Sequence, residues 1–386
     1  MKIQVDSNRL AKACALATKN IPSKTTLPII KCLHVVAEGD MLHVSSTDTE
    51  SWVVYDVPAV VELDDTPKAF CIDASNLTNL LQAIPSQPIT IALFENKYCQ
   101  DKTYYAKITH SCGTSELPVV SAEEFPTLQP ITTEGHCVQA DVLKKSIQTC
   151  RFALFNDAEA KPQMAALCLH FKGSSMVAVA TDGHRMTRLE HPDVEGEACQ
   201  YLLPKKALGL LLPALDDVLK DKDAIDAVIL RKDDYNVCIQ TATATIYFRQ
   251  IVQKYPNYDS VIPARNRMQY EAVMNRSDLI AAISRSMLFT DAATLKLVFK
   301  FDFGGYMYVN GECVDFSTSS EEKVACEFKG SAPLSIAFRS TLLKEILLNM
   351  ESEQVRFLMI DQTRQTLILE EGGNENLTMM LMPMFI

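Results

Sequence analysis

Within five residues, Thr181-Asp182-Gly183-His184-Arg185 brings together a hydroxyl, a carboxylate, an imidazole and a guanidinium. Asp-Gly-His is turn-forming, so these groups could be presented as acid, base and oxyanion donor. Catalysis asks for more than proton carriers. The sequence has no nucleophile elbow, phosphate-cradling glycine loop, dinucleotide fingerprint or metal-ligand spacing. Asp182 is therefore read as holding the turn and His184 as lining a groove wall. The twelve cysteines (Cys14, Cys32, Cys71, Cys99, Cys112, Cys137, Cys150, Cys168, Cys199, Cys238, Cys313, Cys326) include no C-x-x-C pair. They are expected to be buried thiols, with no metal, cofactor or disulfide framework.

A second chemically suggestive stretch is apolar: Met382-Pro383-Met384-Phe385-Ile386. Methionine is flexible and polarizable, so a groove lined with it accepts several different apolar anchors; ordinary core filling is the competing use.

The elements that must position these groups recur three times. Val5-Asp6-Ser7-Asn8-Arg9-Leu10, Val138-Gln139-Ala140-Asp141-Val142-Leu143 and Val273-Met274-Asn275-Arg276-Ser277-Asp278-Leu279 each read as a strand end, a cap and an amphipathic helix. Ser7, Asp141 and Ser277 are the expected N-caps. A second leucine-striped helix follows each, so the six predicted helices span 7–19, 73–84, 141–151, 204–212, 276–286 and 339–349, with a period of about 130 residues. Alternating runs such as Met41 to Ser46, Tyr104 to His110, Met176 to Ala180 and Lys296 to Phe301 predict mostly antiparallel strands. The fold class is α+β: three repeated domains of two helices on antiparallel sheet, 1–128, 129–262 and 263–386, with joins at proline-rich Phe125 to Pro130 and Tyr255 to Pro263.

Net charge is −11, which by itself disfavours a nucleic-acid partner. Its distribution reverses that inference. The six predicted helices carry twelve basic residues against four acidic ones, a balance of +8 that leaves −19 for the rest. No recognition-helix, zinc-finger or basic-zipper pattern accompanies them. Phosphate contact without base readout is sequence-independent and salt-dependent, and such a surface can slide. No apolar run is long enough to span a membrane, and the N-terminus lacks a secretory pattern, so a cytoplasmic protein is expected.

Thr26-Leu27-Pro28-Ile29, Phe125-Pro126, Ala180 to Arg185, Tyr255-Pro256-Asn257-Tyr258 with Ile262-Pro263, and Met382-Pro383-Met384 together resemble the bacterial β sliding clamp family of DNA polymerase III along the whole chain. The resemblance implies a non-catalytic processivity factor: a head-to-tail homodimer closing into a ring around duplex DNA, two helices per domain lining the hole. Its partners would be the replicative polymerase, the clamp loader and repair proteins, held through short apolar motifs in a pocket between the second and third domains. By resemblance that pocket is Leu154, Thr181, Gly183, His184, Arg185, Met186, Pro256, Val261, Met382, Pro383 and Met384.

For DNA the same resemblance points to Lys24, Gln148, Arg151 and Phe152, to which the helix charges add Lys144, Lys145, Lys205 and Lys206. Met287 and Leu288 correspond to the third-domain side of the dimer contact. Three departures stand out: Ser260 where the family has arginine, Phe385-Ile386 at the tail where a basic residue is common, and Ser111-Cys112-Gly113 at the first-domain edge. The first two imply partner motifs that are more apolar. A clamp-like adaptor that binds peptides without encircling DNA is the alternative.

Overall fold

Each repeat begins with a strand that runs straight into a helix, and in the first and third repeats a short polar side chain at the junction takes up a free amide of the helix. The computed structural model describes residues 1–64, 66–95, 103–221 and 225–386. Asp6 Oδ1 accepts from Arg9 N at 2.9 Å ahead of α1 (Ser7–Thr18), and Asp73 Oδ1 from Asn76 N at 2.8 Å ahead of α2 (Ala74–Ala83). The next helices are α3 (Ala140–Cys150), α4 (Lys205–Lys220), α5 (Arg276–Ser286) and α6 (Ser340–Leu348). Asn275 caps α5, accepting from Asp278 N at 3.1 Å.

All three expected caps therefore lie inside their helices and not ahead of them. Ser7 is fully buried and its hydroxyl donates to Pro85 O at 3.0 Å, while Ser277 Oγ donates to the capping Asn275. Asp141 lies inside its helix, and it is Asp226 Oδ1 that receives Ala140 N, at 2.8 Å.

The larger correction is α4. It was expected to stop at Leu212 before Pro213, yet it continues two further turns to Lys220 with Pro213 inside it. Proline forfeits one helical hydrogen bond and crowds the preceding turn, about 3 kcal/mol. Beyond it, Ala214, Leu215 and Val218 are all buried, and sinking a leucine and a valine contributes roughly 1.5–3 kcal/mol each. Burial wins.

The chain packs into two compact units, Met1–Lys144 with Lys206–Gln250, and Lys145–Lys205 with Ile251–Ile386. Each holds a twelve-stranded sheet in which every neighbouring pair is antiparallel. In the first unit, strand Lys2–Asp6 pairs with both Pro88–Glu95 and Ser51–Glu62, so eight strands close on themselves around Ile3, Leu10, Leu33, Leu42, Ile72 and Leu77. Strand Ser51–Glu62 also pairs with Ala244–Arg249 (Ile246 opposite Val53), which adds four strands of the central repeat. In the second unit, strand Arg185–His191 meets Leu377–Leu381, with Met186 opposite Met380. A single bridge from Met384 to Ala337 ties the end of the chain to strand Leu334–Arg339.

Eight of the described cysteines are buried, and burial pushes the Cys14, Cys71, Cys168 and Cys326 thiols up to about 12. Cys112 and Cys137 are exposed, contrary to expectation, because one sits at a hairpin tip and the other on the outward face of strand His136–Gln139. Cys99 lies outside the described residues. Among them no cluster of His, Cys, Asp and Glu is placed to hold a metal, and no helix is long and apolar enough to cross a membrane.

Candidate functional site

The turn between strands Met176–Thr181 and Arg185–His191 is locked by its own side chains. Asp182 Oδ1 accepts from His184 N and Arg185 N, both at 2.9 Å, and Asp182 Oδ2 receives Arg185 Nε at 3.1 Å. The Thr181 hydroxyl donates to Arg185 O at 2.7 Å and accepts from Gly183 N at 3.1 Å. Gly183 has φ of +90°, a conformation that L side chains rarely adopt. Hydroxyl and carboxylate are thus consumed in holding backbone, which leaves no activated nucleophile.

Arg185 is buried. Besides Asp182 it bonds Glu345 of α6 and donates to Phe152 O at 2.7 Å, with its guanidinium 5.1 Å from the Phe152 ring centre. Burying a guanidinium is tolerated only when its donors are satisfied, and here three elements satisfy them.

The locked turn forms one wall of a cavity of about 440 Å³. Eight of the expected residues line it: Thr181, Gly183, His184, Arg185, Met186, Pro256, Val261 and Met382. The opposite wall is the segment Tyr255 to Val261. It is anchored at Tyr258, whose hydroxyl lies 2.7 Å from His170 Nδ1, and at Val261, whose carbonyl accepts from Gln365 Nε2 at 2.6 Å. Lys172 reinforces it, bonding Asp259 at 2.7 Å with its ammonium 5.1 Å from the Tyr258 ring centre. Ser260 is exposed, and its hydroxyl donates to Asn257 O at 2.8 Å within the same turn. The floor is four methionines, Met164, Met186, Met380 and Met382; only Met382 is appreciably exposed, at 38%.

Leu154, Pro383 and Met384 do not line the cavity. Leu154 is core, and Met384 is drawn aside by its amide, which donates to Ala337 O at 2.7 Å. Met164, Asn257, Tyr258, Gln365 and Met380 line it but were missed. Met380 was legible, since an alternating strand carries it on the same face as Met382; Met164 and Gln365 come from loops with no sequence signal.

The residues expected to meet DNA are placed differently from one another. Lys24, Gln148, Arg151 and Lys205 are exposed. Lys144 pairs with Asp216 at 2.7 Å, Lys145 with Glu351 and Lys206 with Asp48. Phe152 is half-buried beneath Arg185. With the observed boundaries, the helices carry ten basic side chains (Arg9, Lys12, Lys144, Lys145, Lys205, Lys206, Lys220, Arg276, Arg285, Lys344) against five acidic ones (Asp141, Asp216, Asp217, Asp278, Glu345). The excess is smaller than expected because Lys19, Arg151 and Arg339 fall outside the observed helices, as does Asp73, while the extension of α4 brings in Asp216 and Asp217 with only Lys220 against them. Met287 and Leu288 lie on a short 3-10 turn after α5, where Leu288 is 80% exposed.

Three family descriptions match the chain in sequence order: DNA polymerase III beta subunit, N-terminal domain over 1–129, central domain over 137–257 and C-terminal domain over 259–385. The beta sliding clamp of Pseudomonas putida is 24% identical over 387 residues, covering all of both chains; that of Bacillus subtilis is 23% identical, covering 99% of each. Among solved structures, a Pseudomonas aeruginosa DNA polymerase III subunit beta bound to griselimycin superposes with TM-score 0.86 at 22% identity, each chain fully covered. The Thermotoga maritima beta subunit does so at 0.85 and 19%, covering all of this chain and 99% of that one.

Proposed function

This chain belongs to the DNA polymerase III beta subunit family of non-catalytic sliding clamps, and from that premise we propose that two copies close head to tail into a ring around duplex DNA. Each copy contributes three clamp domains, joined near residues 128 and 262, whose helices line the hole. The ring holds DNA by topology. Its helices meet phosphates without reading bases, so binding is sequence-independent. The replicative polymerase, the clamp loader and repair proteins dock in turn through short apolar peptide segments.

The observation that carries this reading is the cavity of about 440 Å³ with its methionine floor. It is large enough for one or two apolar side chains, its walls are pinned by hydrogen bonds, and its floor adapts in shape. With the uncharged Ser260 bonded to its own turn and Asp259 tied to Lys172, the rim presents little free charge, which suits anchors flanked by uncharged residues.

Head-to-tail closure draws support from the exposed Leu288 on the C-terminal repeat, where Val314 and Phe316 are also 78% and 80% exposed. Apolar side chains this exposed are what a partner surface would cover. Light scattering across a dilution series tests it. A particle near twice the 43.0 kDa chain mass is the expected result. A monomer persisting well above micromolar concentration would overturn ring closure in favour of a peptide-binding adaptor.

A further inference from the structure

Four of the seven helix lysines arrive already paired. Lys12 of α1 meets Asp217 at 2.7 Å, and Lys144 of α3 meets Asp216 at 2.7 Å; both carboxylates belong to the two turns of α4 beyond Pro213. Neighbouring residues on one helix thus reach lysines of two different repeats. Lys206 is held by Asp48 and also donates to Asn20 O at 3.3 Å, and Lys145 is held by Glu351. Asp48 is itself fixed. Burial raises its pKa, but the bonds from Lys206 and from the Ser51 hydroxyl and amide outweigh that and hold the carboxyl below its ordinary value. At neutral pH it stays charged.

We propose that Asp48, Asp216, Asp217 and Glu351 are built-in counterions that compete with DNA phosphates for these four lysines and so keep the grip loose enough to slide. The inference rests on the DNA-encircling reading above. Each pair has one partner at least 41% exposed, and ion pairs screened by solvent in this way contribute only about 0–1 kcal/mol, so a phosphate can take a lysine over at little cost. The displaced carboxylate stays close by, repels the phosphate and reclaims the lysine when DNA moves on. A lysine without such a neighbour would condense on one phosphate and release it more slowly. Each freed lysine adds a slope of about 0.9 to the logarithmic salt dependence of binding.

The test compares the full-length protein with Asp48→Asn/Asp216→Asn/Asp217→Asn/Glu351→Gln, and with the double variant Asp216→Asn/Asp217→Asn, which leaves the Asp48 turn intact. Asp216→Glu/Asp217→Glu keeps the charge and serves as control. Two readouts apply: equilibrium binding to a short linear duplex between 50 and 200 mM salt, and single-molecule diffusion of the loaded ring. The quadruple variant is expected to lose up to roughly 10²-fold more affinity than wild type across that salt range, and to diffuse several-fold more slowly at the low-salt end. The double variant should fall between, and the Glu control should match wild type. Equal salt slopes and equal diffusion in all forms would overturn the counterion role. Failure of the wild-type ring to stay on a closed circle would instead overturn ring closure, with the linear-duplex slopes still reporting on the counterions.

Discussion

In the proposed peptide pocket, Met382 is the side chain best placed to carry recognition. It is the exposed member of the methionine floor, and its amide donates to His184 O at 2.8 Å, so its backbone is fixed while its thioether is free to adapt. Met382→Ala removes apolar contact and leaves the strand pairing in place. A labelled apolar peptide should bind about tenfold more weakly to it in a fluorescence titration, with the melting temperature little changed; unchanged affinity would show that the anchor sits elsewhere. His170, behind the facing wall, makes the fold sensitive to pH. Burial, then the Lys172 charge, lowers its pKa from 6.5, with Asp259 opposing, and burial lowers His34 likewise. A depressed imidazole pKa means that the unfolded chain binds protons first. The stability gained is present above pH 6.5 and is lost as pH falls towards the folded values. The urea midpoint should therefore be lower at pH 5.5 than at 7.5, and His170→Gln should flatten the difference.

At the scale of elements, periodicity carried much of the fold. The strands Tyr104–His110 and Lys296–Phe301 and the helix Arg276–Ser286 appear where alternation and the leucine stripe place them. The Thr181 to Arg185 turn was legible because glycine beside aspartate states its geometry. What was not legible was decided by contacts distant in sequence. The end of α4 depends on what Leu215 and Val218 bury against, and a proline rule cannot weigh that. Met164 and Gln365 reach the cavity through folding alone. These two kinds of information can be separated on α4. Pro213→Ala should raise stability by about 1–3 kcal/mol, since it restores a hydrogen bond and relieves crowding, whereas Leu215→Ala should lower it by about 2–5 kcal/mol. Chemical denaturation reads both; a neutral Leu215→Ala would mean that burial does not carry the helix past the proline.

For the whole molecule, a net charge of −11 is compatible with the proposed DNA partner because, in the proposed ring, topology rather than attraction does the holding. In that proposal, closure depends on a few exposed apolar groups. Leu288→Asp should shift the mass in light scattering towards the 43.0 kDa monomer while leaving the peptide cavity competent, since none of its lining residues is altered. An undisturbed dimer would move the contact away from the 3-10 turn after α5. The most direct test of the account is retention on circular DNA: the protein is loaded onto a closed duplex circle, freed of unbound chain by gel filtration in high salt, and the circle is then cut once. The account predicts that protein stays with the closed circle, where phosphate contacts are screened, and leaves as soon as the DNA is linear. Equal loss from circular and linear DNA would contradict encirclement.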